Sequence, residues 1–234
     1  MTRTIALITG ASSGIGEAFC RALAVHCSHI IAIAPCEKRL QKLYETLAGE
    51  AKVLPVVADL STVDGVSRAV EMLRQQGPVD YLVNNAGYGR YACCEDSSID
   101  EQLKMMHLQL DASVRLCRAA LPGMLSVGRG GIVNVAPVGA LRTLPISAIY
   151  DACKAFVSSF SLSLQQEVGN SGIRVQCLCP GLTHSEFDDR ADFGKVDKTE
   201  LPLSTGMTPT EIVDCSLAAL AHEPIVVMPG KFTR

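Results

Sequence analysis

Gly10-Ala11-Ser12-Ser13-Gly14-Ile15-Gly16 lies between a short apolar run, Ile5–Thr9, and a stretch with helical periodicity, Gly14–Val25. A backbone that leaves a strand and enters a helix within so few residues must be free of side-chain obstruction. Gly10 permits the turn, and Gly14 and Gly16 allow backbone and helix to approach closely whatever rests on them. The helix start then offers unpaired N–H groups and a partial positive charge, a seat suited to a diphosphate. With a strand before it and a helix after it, the string points to a dinucleotide-binding turn.

The rest of the chain repeats that alternation. Apolar runs at Ile5–Thr9, His29–Ile33, Lys52–Val57, Val79–Val83, Gly131–Val135, Ile173–Leu178 and Ile225–Met228 are separated by patterns of period 3.6. Ile15, Ala18, Phe19 and Ala22 share one face of the first such pattern, and Val66, Val70 and Leu73 share one face of Val63–Arg74. The pattern predicts an α/β fold: a doubly wound, Rossmann-type, mainly parallel sheet of seven strands with helices on both faces. The 234 residues suit a single dinucleotide-binding domain over 1–234. A long helix is expected over Ile99–Met124, with Pro122 kinking or ending it. Residues 183–206, rich in Asp, Gly and Pro, follow the sixth strand where such a sheet opens its crevice, and are expected to form a substrate lid.

Composition removes several classes of function. Apolar residues make up 48% and charged residues 19%, which describes a globular chain. A net charge of -3 gives no basic footprint, so no nucleic-acid partner is expected. No run approaches the roughly 18 apolar residues of a membrane helix, and the N-terminus lacks the form of a signal peptide, so no membrane association is expected and the location is expected to be cytoplasmic. The ten cysteines include no C-x-x-C pair. Cys93-Cys94 and Cys177-x-Cys179 do not make a zinc site, so no metal is expected and the thiols read as reduced.

Asp59 at the end of the third strand, Asn84-Asn85-Ala86-Gly87 at the end of the fourth and the pair Tyr150-x-x-x-Lys154 complete a pattern with Thr9–Gly16. Taken together these motifs, in this order and over almost the whole chain, resemble the short-chain dehydrogenase/reductase family. The resemblance implies that Gly10, Ser12, Ser13, Gly14, Ile15 and Gly16 hold the diphosphate, with Asp59 and Leu60 at the adenine. Asn84, Asn85, Ala86 and Gly87 would line the adenosine ribose, and Pro180, Gly181 and Ser185 the nicotinamide side. Tyr150 would exchange a proton with the substrate oxygen, while Lys154, positive and one helical turn away, would bond the nicotinamide ribose and favour the phenolate. The substrate is then a small-molecule carbonyl or alcohol, with Tyr88, Tyr91, Leu141, Leu144 and Phe187 lining an apolar pocket. A homodimer or homotetramer is implied, through the Ile99–Met124 and Tyr150–Val168 helices; Val157, Phe160, Leu164 and Val168 suit either that interface or packing on the sheet.

Three positions depart from the family pattern. The serine that polarises the carbonyl is replaced by Pro137, which has neither hydroxyl nor backbone N–H; Thr143 and Ser147 are candidate substitutes. The family's asparagine, at a backbone kink in the proton relay, falls at Gln109, making Gln109 a third catalytic candidate. After the second strand the chain reads Ala34-Pro35-Cys36-Glu37-Lys38-Arg39. Neither Ala34 nor Pro35 selects a ribose 2′-substituent, and Lys38 or Arg39 would favour a phosphate, so NADP is expected in slight preference to NAD. His107 and His184 read as surface or supporting residues, and Cys153 as a packing residue on a different face of its helix. The leading function is an NAD(P)-dependent oxidoreductase. The alternatives are a redox-inactive relative using the pocket for cyclisation, isomerisation or elimination, and a non-catalytic dinucleotide-binding protein.

Overall fold

A computed structural model describes residues 3–89, 92–136, 146–181, 183–184, 206–222 and 225–230. Its strands are β1 (Ile5–Thr9), β2 (His29–Ala34), β3 (Lys52–Val57), β4 (Tyr81–Asn84), β5 (Gly130–Val135), β6 (Ile173–Leu178) and β7 (Val226–Val227). They form one seven-stranded sheet in the order β3-β2-β1-β4-β5-β6-β7, with every pairing parallel. The central strands read as unbroken apolar runs because helices cover both faces. β3 is an edge strand, which is why it tolerates Pro55: its missing N–H interrupts no ladder on the open side.

The helices are α1 (Gly14–Ala24), α2 (Glu37–Thr46), α3 (Val63–Gln76), α4 (Ile99–Met106), α5 (Ala112–Val127), α6 (Ala148–Val168) and α7 (Pro209–Leu220). Strand alternation sorts the core into two layers. Leu7, Ile31, Leu82 and Ile132 face α3, α5 and α6 through Leu73, Leu116 and Leu164. Ile8, Ile30, Val83 and Val133 face α1, α2 and α7 through Phe19, Leu40 and Ile212. Val157, Leu164 and Val168 are buried within the protomer, so that stripe packs on the sheet; Phe156, exposed, stacks on Phe160 with centroids 6.0 Å apart.

Two local expectations are corrected. The long helix is broken at a π turn, His107–Asp111, rather than at Pro122. α5 continues through Pro122 to Val127 because Leu116, Ala120 and Met124 anchor its inner face. Pro122 and Arg118 lie on the exposed side, where a carbonyl that lacks an N–H partner is open to solvent. The seventh strand is also shorter than its apolar run, since only Val226 and Val227 find register partners, Cys177 and Leu178. Most of the segment assigned to a lid falls outside the described residues.

Candidate active site

Strand order reverses between β1 and β4, whose neighbours lead away to opposite edges of the sheet. Such a switch point opens a crevice at the carboxyl ends of the strands. Thr9 ties the two sides together: its hydroxyl donates to the Val83 carbonyl (3.2 Å) and accepts the N–H of Asn85 (2.9 Å) and of Ala86 (3.0 Å). The Asn85 amide donates to the Thr9 carbonyl (3.1 Å). Asn84 turns the other way, into the interior, where its amide donates to Asn134 Oδ1 (2.8 Å).

The glycine turn is packed to backbone contact. Gly10 has φ +64°, and a Cβ there would stand 2.7 Å from Asn85 Nδ2; a Cβ at Gly16 would stand 2.2 Å from the Gly10 carbonyl oxygen. Ser13 is the N-cap of α1, yet its side chain makes no capping bond, so no side-chain cap takes up the first-turn N–H groups. Ser12 and Ile15 flank this opening, half-buried. Asp59 stands two residues beyond β3, exposed, with Oδ1 accepting from the Ser61 N–H (2.9 Å) and hydroxyl (2.7 Å); Leu60 beside it is buried. An uncapped helix start beneath a turn that excludes side chains fits the diphosphate of a dinucleotide.

Across the crevice, α6 begins at Ala148 and presents Tyr150 and Lys154 on one face, 4% and 5% exposed. Lys154 Nζ sits 5.6 Å from the Tyr150 ring centroid and donates to the Val135 carbonyl (3.4 Å). Burial pushes the Lys154 ammonium down to about 8, against smaller opposing influences from Cys153 and Cys177. A Cβ on Gly87 would lie 3.4 Å from Lys154 Nζ and 3.8 Å from Gln109 Cγ, so the three positions converge. Gln109, 1% exposed, lies within the π turn, where the Ala112 N–H reaches back to the His107 carbonyl. Its Nε2 donates to the Tyr88 carbonyl (2.9 Å), and its Oε1 is buried with no partner among the described residues.

The sequence candidates thus gather around one crevice: Gly10 to Gly16, Asn85 to Gly87, Gln109, Tyr150 and Lys154, with Pro180-Gly181 following β6. Ser147, a candidate substitute for the missing serine, is buried and directs its proton to Asp151 Oδ2 (2.5 Å). Pro137, Thr143, Ser185 and the pocket candidates Tyr91, Leu141, Leu144 and Phe187 lie outside the described residues; Tyr88 is half-buried beside Gln109. His107 pairs with Asp111 (3.4 Å). All ten cysteines are free thiols; Cys153 is buried, and Cys177 meets Cys179 at 3.6 Å, an interaction that lowers the Cys177 thiol and raises that of Cys179. Sequence reasoning passed over Asn134 and Ser161, both fully buried and hydrogen-bonded to each other (3.0 Å). The available signal was an asparagine inside an otherwise apolar strand.

Comparison with known proteins shows the family and the fold. A family model for short chain dehydrogenases matches residues 4–193. An uncharacterized oxidoreductase of Staphylococcus epidermidis is 30% identical over 84% of this chain and 85% of its own length. Carbonyl reductase family member 4 of Danio rerio is 32% identical over 92% of this chain and 90% of its own length. A short-chain dehydrogenase from Sphingobium yanoikuyae in complex with NADPH superposes with a TM-score of 0.90 at 30% identity, covering 98% of this chain and 89% of the other.

Proposed function

The chain belongs to the short-chain dehydrogenase/reductase family of oxidoreductases, and on that premise we propose that it interconverts a small-molecule carbonyl and its alcohol with NADP as the preferred cofactor. The observation that carries this reading is the buried Tyr150/Lys154 pair, with the Lys154 ammonium 5.6 Å from the phenol ring and beside Gly87, whose neighbours Asn85 and Ala86 pack on Gly10 of the glycine turn. Gly10 to Gly16 and the α1 start hold the diphosphate, Asp59 and Leu60 border the adenine, and Asn85 to Gly87 border its ribose. Lys154 holds the nicotinamide ribose, with Pro180, Gly181 and Ser185 on the far side. Bound there, the dinucleotide supplies or accepts the hydride. Tyr150 gives its hydroxyl proton to the carbonyl oxygen in reduction, and takes the alcohol proton in the reverse direction. Lys154 keeps its own proton and stabilises the phenolate that results. The buried Gln109 Oε1, lacking a protein partner among the described residues, accepts a hydrogen bond from the water that returns a proton toward Tyr150.

NADP is supported by Lys38, exposed in the first turn of α2, and by the absence of an acidic side chain at Ala34 or Pro35. The bridge between Thr183 and Met207 supports the lid over 183–206, since it brings the two ends of that segment together. Exposed Ile99 and Leu103 on α4 and Phe156 on α6 support a homodimer or homotetramer, to be read by sedimentation. Among the described residues no helix is long and apolar enough to cross a membrane, and the free thiols support the reducing cytoplasm as the place of work.

The test is cofactor consumption over a panel of ketones, aldehydes and alcohols with NADPH, NADP+ and their unphosphorylated counterparts. Turnover is expected, with Tyr150→Phe lowering kcat by at least about 10³ at unchanged cofactor affinity. A second reading, in which Tyr150 moves protons without net redox chemistry, is favoured by Pro137 and by the Ser147 proton already committed to Asp151. Pro137→Ser separates the two: it raises reductase kcat by at least tenfold, toward the roughly 10²–10³ worth of one oxyanion donor, if hydride transfer is the native reaction. Product formed with no change in cofactor oxidation state would establish the second reading instead.

A further inference from the structure

We infer that Asn134 and Ser161 are positioning residues for Lys154: the hydrogen bond between them locks α6 against β5 in the register at which the Lys154 ammonium meets the Val135 carbonyl. The inference rests on the assignment of Tyr150 and Lys154 to the reaction.

Asn134 and Val135 are consecutive at the end of β5, and each holds α6 by one polar bond. The Val135 carbonyl accepts from Lys154 Nζ (3.4 Å), and Asn134 Nδ2 donates to Ser161 Oγ (3.0 Å). Lys154 and Ser161 are two helical turns apart and so face the same side of α6. The other buried contacts of that face, Val157, Leu164 and Val168, are apolar. Dispersion contacts permit a helix to slide or roll by fractions of an ångström, whereas a hydrogen bond weakens steeply off its axis. The bonds from β5 that constrain α6 in direction are these two, and the one from Lys154 is itself long; β6 holds the same helix through the Cys177 thiol on Ser158 Oγ (3.5 Å) and the Val175 N–H on Gln165 Oε1 (2.5 Å).

The clamp is anchored on its far side as well. Asn134 Oδ1 accepts from Asn84 Nδ2 (2.8 Å) and from the Cys117 thiol (3.8 Å), while Ser161 passes its own proton to the Val157 carbonyl (2.7 Å). Asn84 directly precedes Asn85-Ala86-Gly87, and Gly87 stands against Lys154 Nζ. One buried network thus fixes both walls between which the ammonium is held. Its members come from β4, β5, α5 and α6, and a polar network in a low-dielectric interior acts on uniqueness of geometry.

The experiment reads Lys154 directly in the cofactor-free protein, by the pH titration of its 13Cε resonance, assigned with Lys154→Arg. In the native protein the midpoint is expected near 8. In Ser161→Ala it is expected to move toward the ordinary lysine range by at least about half a pH unit, a threefold change in the ionisation constant, as the loosened helix admits water to the ammonium. Leu164→Ala, which weakens the same helix face through apolar contact alone, is expected to lower stability and leave the midpoint in place. The double variant Asn134→Ala/Ser161→Ala also takes the acceptor from Asn84 Nδ2 and the Cys117 thiol, so it is expected to be less stable than Ser161→Ala while the midpoint stays displaced. An unmoved midpoint in Ser161→Ala, or an equal displacement in Leu164→Ala, overturns the assignment. None of these readouts uses turnover, so a failure of the oxidoreductase reading in the cofactor assay is seen separately from a failure of the clamp.

Discussion

Lys154 brings the cost of the site to a single atom. An ammonium that is 5% exposed and pushed down to about 8 is held charged at neutral pH against the preference of its surroundings. Below pH 8 the folded and unfolded chains both carry this proton, and the penalty is complete. Between about 8 and 10.5 the unfolded chain retains the proton that the folded chain has released, so this group's contribution to stability improves as pH rises. The gap between 10.5 and about 8 corresponds to about 3 kcal/mol. Lys154→Met keeps the volume and removes the charge, at the loss of the bond to Val135, itself worth about 1 kcal/mol. The variant is therefore expected to be about 2 kcal/mol more stable than the native chain at pH 7, with the difference closing as pH approaches 10, and to be inactive. Denaturant unfolding at pH 7 and pH 9.5 measures both values. A native chain more stable than the variant at pH 7 would show that the ammonium is not strained.

At the level of elements, the π turn between α4 and α5 separates what periodicity can express from what it cannot. An i,i+3,i+4 pattern over Ile99–Met124 is compatible with one continuous helix, and a single residue of extra winding leaves that pattern nearly intact. The break was legible only through the resemblance, which associates a kink with position 109. Pro122 was the visible breaker and did not break, because its exposed side leaves the carbonyl open to solvent. The i,i+4 spacing of Tyr150 and Lys154 was legible because one helical turn decides it locally. Asn134 and Ser161 lie 27 residues apart on different elements, so their meeting depends on how α6 crosses β5, which no local pattern encodes. Extra winding places the Gln109 amide on the Tyr88 carbonyl and leaves Oε1 buried without a partner among the described residues. Gln109→Leu removes that acceptor at similar volume. It is expected to leave thermal stability within about 1 kcal/mol, the lost bond to Tyr88 being offset by relief of the buried oxygen, and to lower kcat at least tenfold. Calorimetry and steady-state kinetics on one preparation test the pair of outcomes; a stable variant with native kcat removes Gln109 from the proton path.

Over the whole molecule, the order of apolar runs and the glycine turn were sufficient for the architecture, since a parallel sheet with right-handed crossovers leaves few ways to arrange alternating strands and helices. That topology makes cofactor binding a property of the whole fold. The switch point is closed by bonds from Thr9 of β1 to Val83 of β4 and to Asn85 just beyond it, the glycine turn rests on that Asn85, and Lys154 reaches in from α6. Unfolding dissolves all of these together, so a ligand seated there stabilises the domain by its full mass-action weight. At one hundred times its dissociation constant, NADPH is expected to stabilise the chain by about 2.7 kcal/mol. For a domain of this size that raises Tm by roughly 5–10 °C. NADH at the same concentration is expected to produce a smaller rise, because Lys38 in the first turn of α2 offers a charge to a ribose 2′-phosphate that NADH lacks. Lys38→Glu should then narrow or reverse the difference between the two cofactors while leaving the Tm of the cofactor-free protein within a degree or two, since the side chain is exposed. Equal shifts for NADPH and NADH in the native chain would assign cofactor choice to some other part of the fold. No shift with either would mean that the crevice, intact as it is, no longer binds a dinucleotide.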